Sequence, residues 1–359
     1  MAKELSFIER LKKEMEKDKK AAAKVSLMAD EENKIVYEPS GILLLDYLSG
    51  KGLPKGRWME IFGAESGGKS LISALIGASF QKRGKNVVWI DMERTTDPEW
   101  YKRVGLDTEK VVLIKPESAE EAFDRLNDCI AAKADLVIID SVASMATQTE
   151  MESDASQQTM AIMARMLSTQ LRKLTSKLAD AGTIVIMINQ LRSTMAVNKY
   201  MAQETTTGGK ALPFYCSLRF RVSRVTAPGS YLKDENDIYK AHTIKLRNIK
   251  NKVGAPGREG TFMLIYDGGP DNRTALVALA MQKGYITKGG AWYTLNVNGQ
   301  EIRACGEQAL ITKLAENKEA QEFLFDALEI HPLYRNMFET DTRAIELPNG
   351  IDEIAEGED

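Results

Sequence analysis

Between Gly41 and about Asp267 the chain alternates short β-branched apolar runs with longer segments of helical spacing. Strands are predicted over Arg57–Phe62, Val87–Asp91, Val111–Lys115, Leu136–Asp140 and Thr183–Asn189. None of these runs shows clean apolar–polar alternation, which is the pattern of parallel strands buried on both faces. Helices are predicted over Lys69–Lys82, Ala119–Ala132 and Met160–Ala179. Alternation of this kind specifies an α/β fold with a doubly wound, mostly parallel sheet. Further on, Leu218–Val225, His242–Ile249 and Thr261–Tyr266 follow one another without helices, so antiparallel extensions of the sheet are expected.

The two ends have a different texture. Residues 1–24 are rich in lysine and glutamate and place Leu5, Ile8, Leu11 and Met15 on one helical face. That narrow stripe suits either a solvated helix or one that docks on a neighbouring subunit. Turn chemistry at Gly268-Gly269-Pro270 precedes a stretch that reads as a small mixed α/β unit. After Arg343 no basic residue occurs, and Glu346, Asp352, Glu353, Glu356, Glu358 and Asp359 form an acidic tail expected to be disordered. The expected divisions are therefore 1–33 (helix and linker), 34–268 (core), 269–344 (small C-terminal domain) and 345–359 (tail).

Charge alters this picture more through its distribution than its sum. The 359 residues carry a net charge of −3, which predicts no global attraction to nucleic acid or membrane. From Met160 to Lys252, however, 16 Lys and Arg face only five Asp and Glu. Positive charge concentrated in one quarter of a chain points to a polyanion there. Cys129, Cys216 and Cys305 are too widely spaced for a metal site or disulfide framework, which suits a reducing compartment. Two histidines, His242 and His331, leave little for a multi-histidine metal site. No apolar stretch approaches 18 residues, and the charged start does not resemble a secretory leader, so neither a span nor a leader is expected.

The candidate chemistry begins at Gly63-Ala64-Glu65-Ser66-Gly67-Gly68-Lys69-Ser70, which fits G-x-x-x-x-G-K-[ST] between a predicted strand and a predicted helix. Gly63, Gly67 and Gly68 let the backbone curl, so that N–H groups along Glu65, Ser66 and the helix start aim at phosphate oxygens. Lys69 would neutralise the β- and γ-phosphates, and the Ser70 hydroxyl would coordinate Mg²⁺. Asp140 closes the apolar run Leu136–Ile139, where a carboxylate can hold the Mg²⁺ shell. Glu93 follows the strand ending at Asp91 and can orient or deprotonate a water; its bland alternative is a loop glutamate paired with Arg94.

Beyond that chemistry, GAESGGKS, DMERTTDPEW, LVIIDSVASM, INQLR, ETTTGGKALPFY and KNKVGAP occur in order. In this the chain resembles the RecA-type recombinases, from about Lys34 to at least Gly290–Tyr293, and bacterial and phage-encoded members are both similar to it. The Thr-Thr-Thr-Gly-Gly run and Lys250-Asn251-Lys252 belong to recombinases rather than to phosphate-loop proteins at large. The resemblance implies a RecA-type ATPase core binding ATP and Mg²⁺. It implies that Asp97 and Trp100 recognise and stack on adenine, with Tyr266 a second platform. It makes Gln190 a sensor of the γ-phosphate. Lys250 and Lys252 would reach the ATP of the adjacent subunit, and Phe214 would lie at that interface.

The same resemblance assigns two DNA-binding segments. One is the loop at about Ser153–Met160 with the helix carrying Arg165, Ser168 and Arg172; the two arginines lie seven apart on one face. The other runs about Arg192–Gly209, with Gly208 and Gly209 closing it, and Met160 and Met195 matching residues that wedge between bases. Departures are Ala64 for the usual proline, Gly67 for serine, Arg94 for histidine and Trp100 for tyrosine.

The expected function is a DNA-dependent ATPase that forms helical filaments on single-stranded DNA and exchanges strands with duplex DNA. Leu5, Ile8 and Leu11 would dock on the next subunit. Single-strand-binding and mediator proteins are further candidate partners, and the implied location is the cytoplasm of a bacterium or phage-infected host. The alternatives are a hexameric helicase-type motor and a catalytically weak recombinase-like regulator.

Overall fold

A computed structural model of the chain describes residues 6–15, 26–152, 160–193, 204–227 and 229–339. Leu5, residues 153–159, Met195 and the acidic tail lie outside the described residues. The chain divides into two compact units, Met1–Val36 and Tyr37–Asp359.

In the first unit, helix α1 (Phe7–Met15) starts on a reciprocal cap: Ser6 N–H donates to Glu9 Oε2 at 2.7 Å, and Glu9 N–H donates to Ser6 Oγ at 3.3 Å. None of its residues is buried, and Phe7 and Leu11 are exposed. The apolar stripe read from the sequence is thus present on a helix that covers little of it.

The second unit opens with β1 (Tyr37–Glu38) paired to β2 (Leu53–Pro54), with helix α2 (Leu43–Ser49) between them. Helix α2 is buried nearly all round, and Gly50, at φ 100°, ends it in the left-handed conformation that glycine tolerates.

The large sheet contains β3 (Trp58–Gly63), β4 (Val87–Asp91), β5 (Val111–Ile114), β6 (Leu136–Asp140), β7 (Ile184–Ser193), β8 (Glu204–Thr206) and β9 (Leu218–Arg224). It continues through β10 (Tyr231–Lys233), β11 (Tyr239–Asn251), β12 (Glu259–Ile265) and β13 (Gly269–Pro270). Strand order along it is β13-β12-β11-β9-β3-β7-β6-β4-β5, with β8 on β7 and β10 on β11. Strands β5, β4, β6, β7, β3 and β9 run parallel, and β11, β12 and β13 antiparallel. The expectation that antiparallel extension starts at Leu218 is therefore corrected: β9 continues the parallel set against β3 before β11 reverses direction.

Helices α3 (Lys69–Lys82), α4 (Pro98–Arg103), α5 (Ala119–Ala131), α6 (Gln148–Glu152), α7 (Met160–Ala181) and α8 (Ala211–Tyr215) complete this region. Alternate strand residues enter different apolar layers, which explains the missing polar alternation. Leu136 and Ile138 of β6 join Leu71, Ile72 and Ile76 of α3, whereas Val137 and Ile139 join Phe123 of α5 and Leu167 and Leu171 of α7. Each such side chain, fully buried, contributes about 1.5–3 kcal/mol relative to exposure.

Beyond β13 follow α9 (Asn272–Gln282), an antiparallel sheet of β14 (Ile286–Gly289), β15 (Trp292–Val297) and β16 (Gln300–Cys305), then α10 (Glu307–Glu316) and α11 (Lys318–Ala327). Their apolar residues are continuous with the α3 layer. Among the described residues no helix is long and apolar enough to cross a membrane.

One buried acid ties the ends of this unit together. Asp46 of α2 accepts Ser40 N–H on both oxygens at 3.0 Å and the Tyr334 hydroxyl on Oδ2, and that hydroxyl in turn accepts Gly41 N–H at 3.1 Å. Burial pushes its carboxyl from 3.8 up to about 6, against the pull of those hydrogen bonds. The folded state therefore holds this proton more tightly than the unfolded chain does. The associated stability is complete below about pH 4 and is lost as pH rises through about 6. Asp46→Asn should remove about 3 kcal/mol of pH dependence, read as a flatter profile of melting temperature between about pH 4 and 7; an unchanged profile would contradict it.

Candidate active site

Strands β3, β6 and β4 end alongside β7, in the strand order β3, β7, β6, β4. Their register sets Gly63 opposite Gln190 and Asp91 opposite Asp140, so one row of strand ends carries a glycine, an amide and two carboxylates. Carboxyl ends of parallel strands are where open α/β sheets bind ligands.

The loop leaving β3 is shaped by its glycines. A Cβ at Gly63 would lie 2.1 Å from the Val222 carbonyl oxygen, so only glycine permits the approach of β9. Gly68 turns the chain into α3 at φ 95°, and no side chain caps that helix, which leaves its first N–H groups for the loop's ligand. Glu65 and Ser66 are exposed, with Ser66 left-handed at φ 55°. Lys69 is buried and its Nζ donates to the Ala64 carbonyl at 2.7 Å. Burial lowers its pKa, and the carboxylates of Asp140, Glu93 and Glu65 oppose that shift.

Asp140 is buried at the end of β6 beside the Ser70 hydroxyl, and its Oδ1 has no partner. Burial pushes its carboxyl up to about 7; Glu93 and Asp91 add to the rise, while Ser70 and Lys69 pull it down. A buried carboxylate oxygen without a donor, beside a hydroxyl, fits a hard divalent cation that takes oxygen ligands. Among the described residues no cluster of three or more His, Cys, Asp or Glu could enclose a metal. A cation at Ser70 and Asp140 would thus complete its shell with water and phosphate, as Mg²⁺ commonly does.

Glu93 is held at the same place from two sides. Its Oε1 accepts the hydroxyls of Ser141 at 2.6 Å and Ser144 at 3.3 Å. Its backbone N–H and that of Met92 donate to the Asp140 carbonyl at 3.2 and 2.6 Å. Asp91 then fixes the following turn through Arg94 and Thr96 N–H. The Asp140–Ser141 peptide bond is cis. Arg94 points elsewhere, to Glu117 at 4.0 Å, so the Glu93–Arg94 pairing weighed from the sequence does not form.

Of the residues matched to adenine recognition, Asp97 caps α4 through Glu99 N–H at 3.0 Å. Trp100 and Tyr266 meet edge to face with centroids 5.6 Å apart, and Arg103 lies over Trp100 while pairing with Asp267 at 2.9 Å. Tyr101 and His242 escaped the sequence reading. Tyr101 is buried and hydrogen-bonded to Ser70; the Asp97-Pro98 pair, a helix cap followed by proline, was the available signal for its helix. His242 is buried 5.2 Å from the Tyr266 ring, and burial lowers its pKa to about 4.

The segments assigned to DNA are placed in part. Arg165 and Arg172 are exposed on α7, Ser168 is half-buried, and Met163, Leu167 and Leu171 face the core. Met160 begins α7 and Arg192 lies on β7, both with side chains outside the described residues. Gly208 and Gly209 adopt φ 93° and 70° against Leu167 and Ala164 of α7. Lys250 Nζ donates to the carbonyls of Pro213 and Phe214, and Lys252 Nζ to that of Phe214 at 2.8 Å, beneath the exposed Phe214 ring.

A family model described as the RecA N-terminal domain matches residues 7–271. Protein RecA of Deinococcus radiodurans is 36% identical over 317 residues, covering 87% of this chain and 85% of its own. The chain belongs to the RecA family. Protein RecA of Oleidesulfovibrio alaskensis is 34% identical over 309 residues, 86% of each chain. A solved RadB recombinase structure is similar at 20% identity and a TM-score of 0.47, over 64% of this chain and 96% of that one. Membership supports an ATP-dependent recombinase and does not favour the helicase-type alternative. It also implies ATP binding.

Lys69→Ala removes a buried cation whose charge burial disfavours, so the fold should survive. Phosphate release should fall by at least about a hundredfold, the scale of losing a key transition-state contact. Turnover near the wild-type rate in a variant with unchanged circular dichroism would exclude Lys69 from the reaction.

Proposed function

We propose that the chain is a DNA-dependent ATPase that polymerises on single-stranded DNA and exchanges strands with a homologous duplex. The observation that carries this reading is the convergence of Lys69, Ser70, Glu93 and Asp140 at adjacent strand ends, in a member of the RecA family. Gly63, Gly67 and Gly68, with N–H groups along Glu65 and Ser66, would cradle the phosphates, and Lys69 would leave the Ala64 carbonyl to meet them. Ser70 and Asp140 would hold Mg²⁺, which when bound draws charge from the β- and γ-phosphate oxygens. Glu93, steadied by Ser141 and Ser144, would orient a water and accept its proton. Asp97, Trp100 and Tyr266 would hold the base.

Lys250 and Lys252 would serve the neighbouring subunit's triphosphate, and their tether to the carbonyls beside Phe214 supports their placement with an exposed interface aromatic. Gln190, opposite Gly63, would register the phosphate. Arg165, Ser168 and Arg172 would meet DNA phosphates together with Met160, Arg192, Met195, Gly208 and Gly209. Leu5, Ile8 and Leu11 would complete the assembly contact. We place the protein in the cytoplasm of a bacterium or phage-infected host, with single-strand-binding and mediator proteins as partners of its filament.

Glu93→Gln tests the central role. The variant should bind ATP and single-stranded DNA within about threefold of wild type while DNA-stimulated hydrolysis falls by roughly a hundredfold or more. Equilibrium binding of a labelled oligonucleotide and phosphate release read the two quantities, and loss of both binding activities would refute the assignment.

A further inference from the structure

The row of strand ends continues inward into a buried polar network that the chemistry above does not use. Glu60 lies in the middle of β3 with its side chain wholly buried. Directly across on β9, Arg219 donates through Nε to Glu60 Oε2, while its guanidinium covers the Phe62 ring at 4.7 Å. Asn189 of β7 is also fully buried, and its Nδ2 donates twice: to Glu60 Oε1 at 2.9 Å and to the Thr207 carbonyl at 2.9 Å. Its Oδ1 accepts the N–H of Gln190 at 2.9 Å.

These bonds fix the amide in one orientation. Reversing it would set oxygen against the Glu60 carboxylate and leave a buried charge short of a donor. The held carbonyl belongs to the segment just after β8, which pairs with the end of β7: Leu191 faces Thr206 and Ser193 faces Glu204. Those two strands form the stem of the second loop. Asn189 sits beside Phe62, and Gln190 beside Gly63, so any shift at the phosphate loop reaches the amide within one residue. On its far side the stem packs closely on α7, where glycine is required at position 208 because a Cβ there would lie 2.5 Å from Leu167 Cδ1. In close-packed surroundings displacement at Thr207 is passed on rather than absorbed.

We infer that Asn189 is a positioning residue that couples the phosphate-loop strand to the stem of the second loop by clamping the Thr207 carbonyl to the buried Glu60–Arg219 pair. That the stem answers to DNA rests on the function proposed above; the clamp itself does not.

Hydrogen–deuterium exchange of the full chain tests it, with a non-hydrolysable ATP analogue and Mg²⁺ as the probe. In the wild type the analogue should change exchange across residues 205–209 without DNA. Asn189→Asp opposes two carboxylates and is expected to destabilise the fold. Adding Glu60→Gln supplies an amide donor to that carboxylate and restores the pair, yet the bond from residue 189 to the Thr207 carbonyl stays lost. Glu60→Gln alone leaves one oxygen for the two donors Asn189 Nδ2 and Arg219 Nε, while Asn189 can still donate to the Thr207 carbonyl. The double variant should bind the analogue and melt near wild type, but its stem should no longer respond; Glu60→Gln alone should respond. DNA stimulation of hydrolysis should fall at least about fivefold in the double variant. A wild type without the nucleotide response, or a double variant that keeps it, overturns the clamp. If the response is present but wild-type hydrolysis ignores DNA, the proposed function fails while the clamp stands.

Discussion

Everything at this site follows from one constraint: β3, β6 and β4 end alongside β7, and Gly63, Asp140 and Asp91 at those ends are buried. Main-chain pairing alone then sets Gly63 beside Gln190 and Asp91 beside Asp140. With Glu93 drawn in by the hydroxyl of Ser141, three carboxylates face a single buried lysine. In low dielectric such a cluster is strongly biased toward additional positive charge. Burial leads the rise at Asp140, with Glu93 and Asp91 adding to it, and burial alone lowers Lys69, against the pull of the carboxylates around it.

The same sheet connects the chemistry to surfaces elsewhere. Strand β7 runs on past Asn189 into a stem that lies against α7, whose outer face carries Arg165 and Arg172. Strand β9 lies next to β3 and carries Arg219, while α8 just before it meets Lys250 of β11 and Lys252 just beyond that strand. Nucleotide, polyanion and neighbouring-subunit roles can therefore be borne by adjacent strands of one rigid element. Rigid, close-packed elements of this kind carry coupling without a dedicated hinge.

Much of this was legible in the sequence. Strands β4 and β6 and helix α3 fall where the apolar runs and helical spacing place them, because buried parallel strands and a long helix buried along its length leave strong local signals. The phosphate loop was legible because its glycines and Gly-Lys-Ser are dictated by backbone geometry rather than by distant contacts. The parallel course of β9 was not, since the direction of a strand is set by its neighbour and leaves no mark in its own alternation. The hold of Ser141 and Ser144 on Glu93 spans about fifty positions, and the Glu60–Asn189 bond spans 129. A glutamate in an apolar strand signals only that some partner must exist, and the partner is chosen by sheet order.

The most direct measurement is nucleotide affinity with and without Mg²⁺, by calorimetry, for the wild type and for Asp140→Asn. If the buried carboxylate is the seat of a divalent cation, Mg²⁺ should tighten ATP binding to the wild type by tenfold or more, about 1.4 kcal/mol, and do little for the variant. An Asp140→Asn protein that binds ATP as tightly as the wild type, with the same gain from Mg²⁺, would contradict the organisation of the site described here.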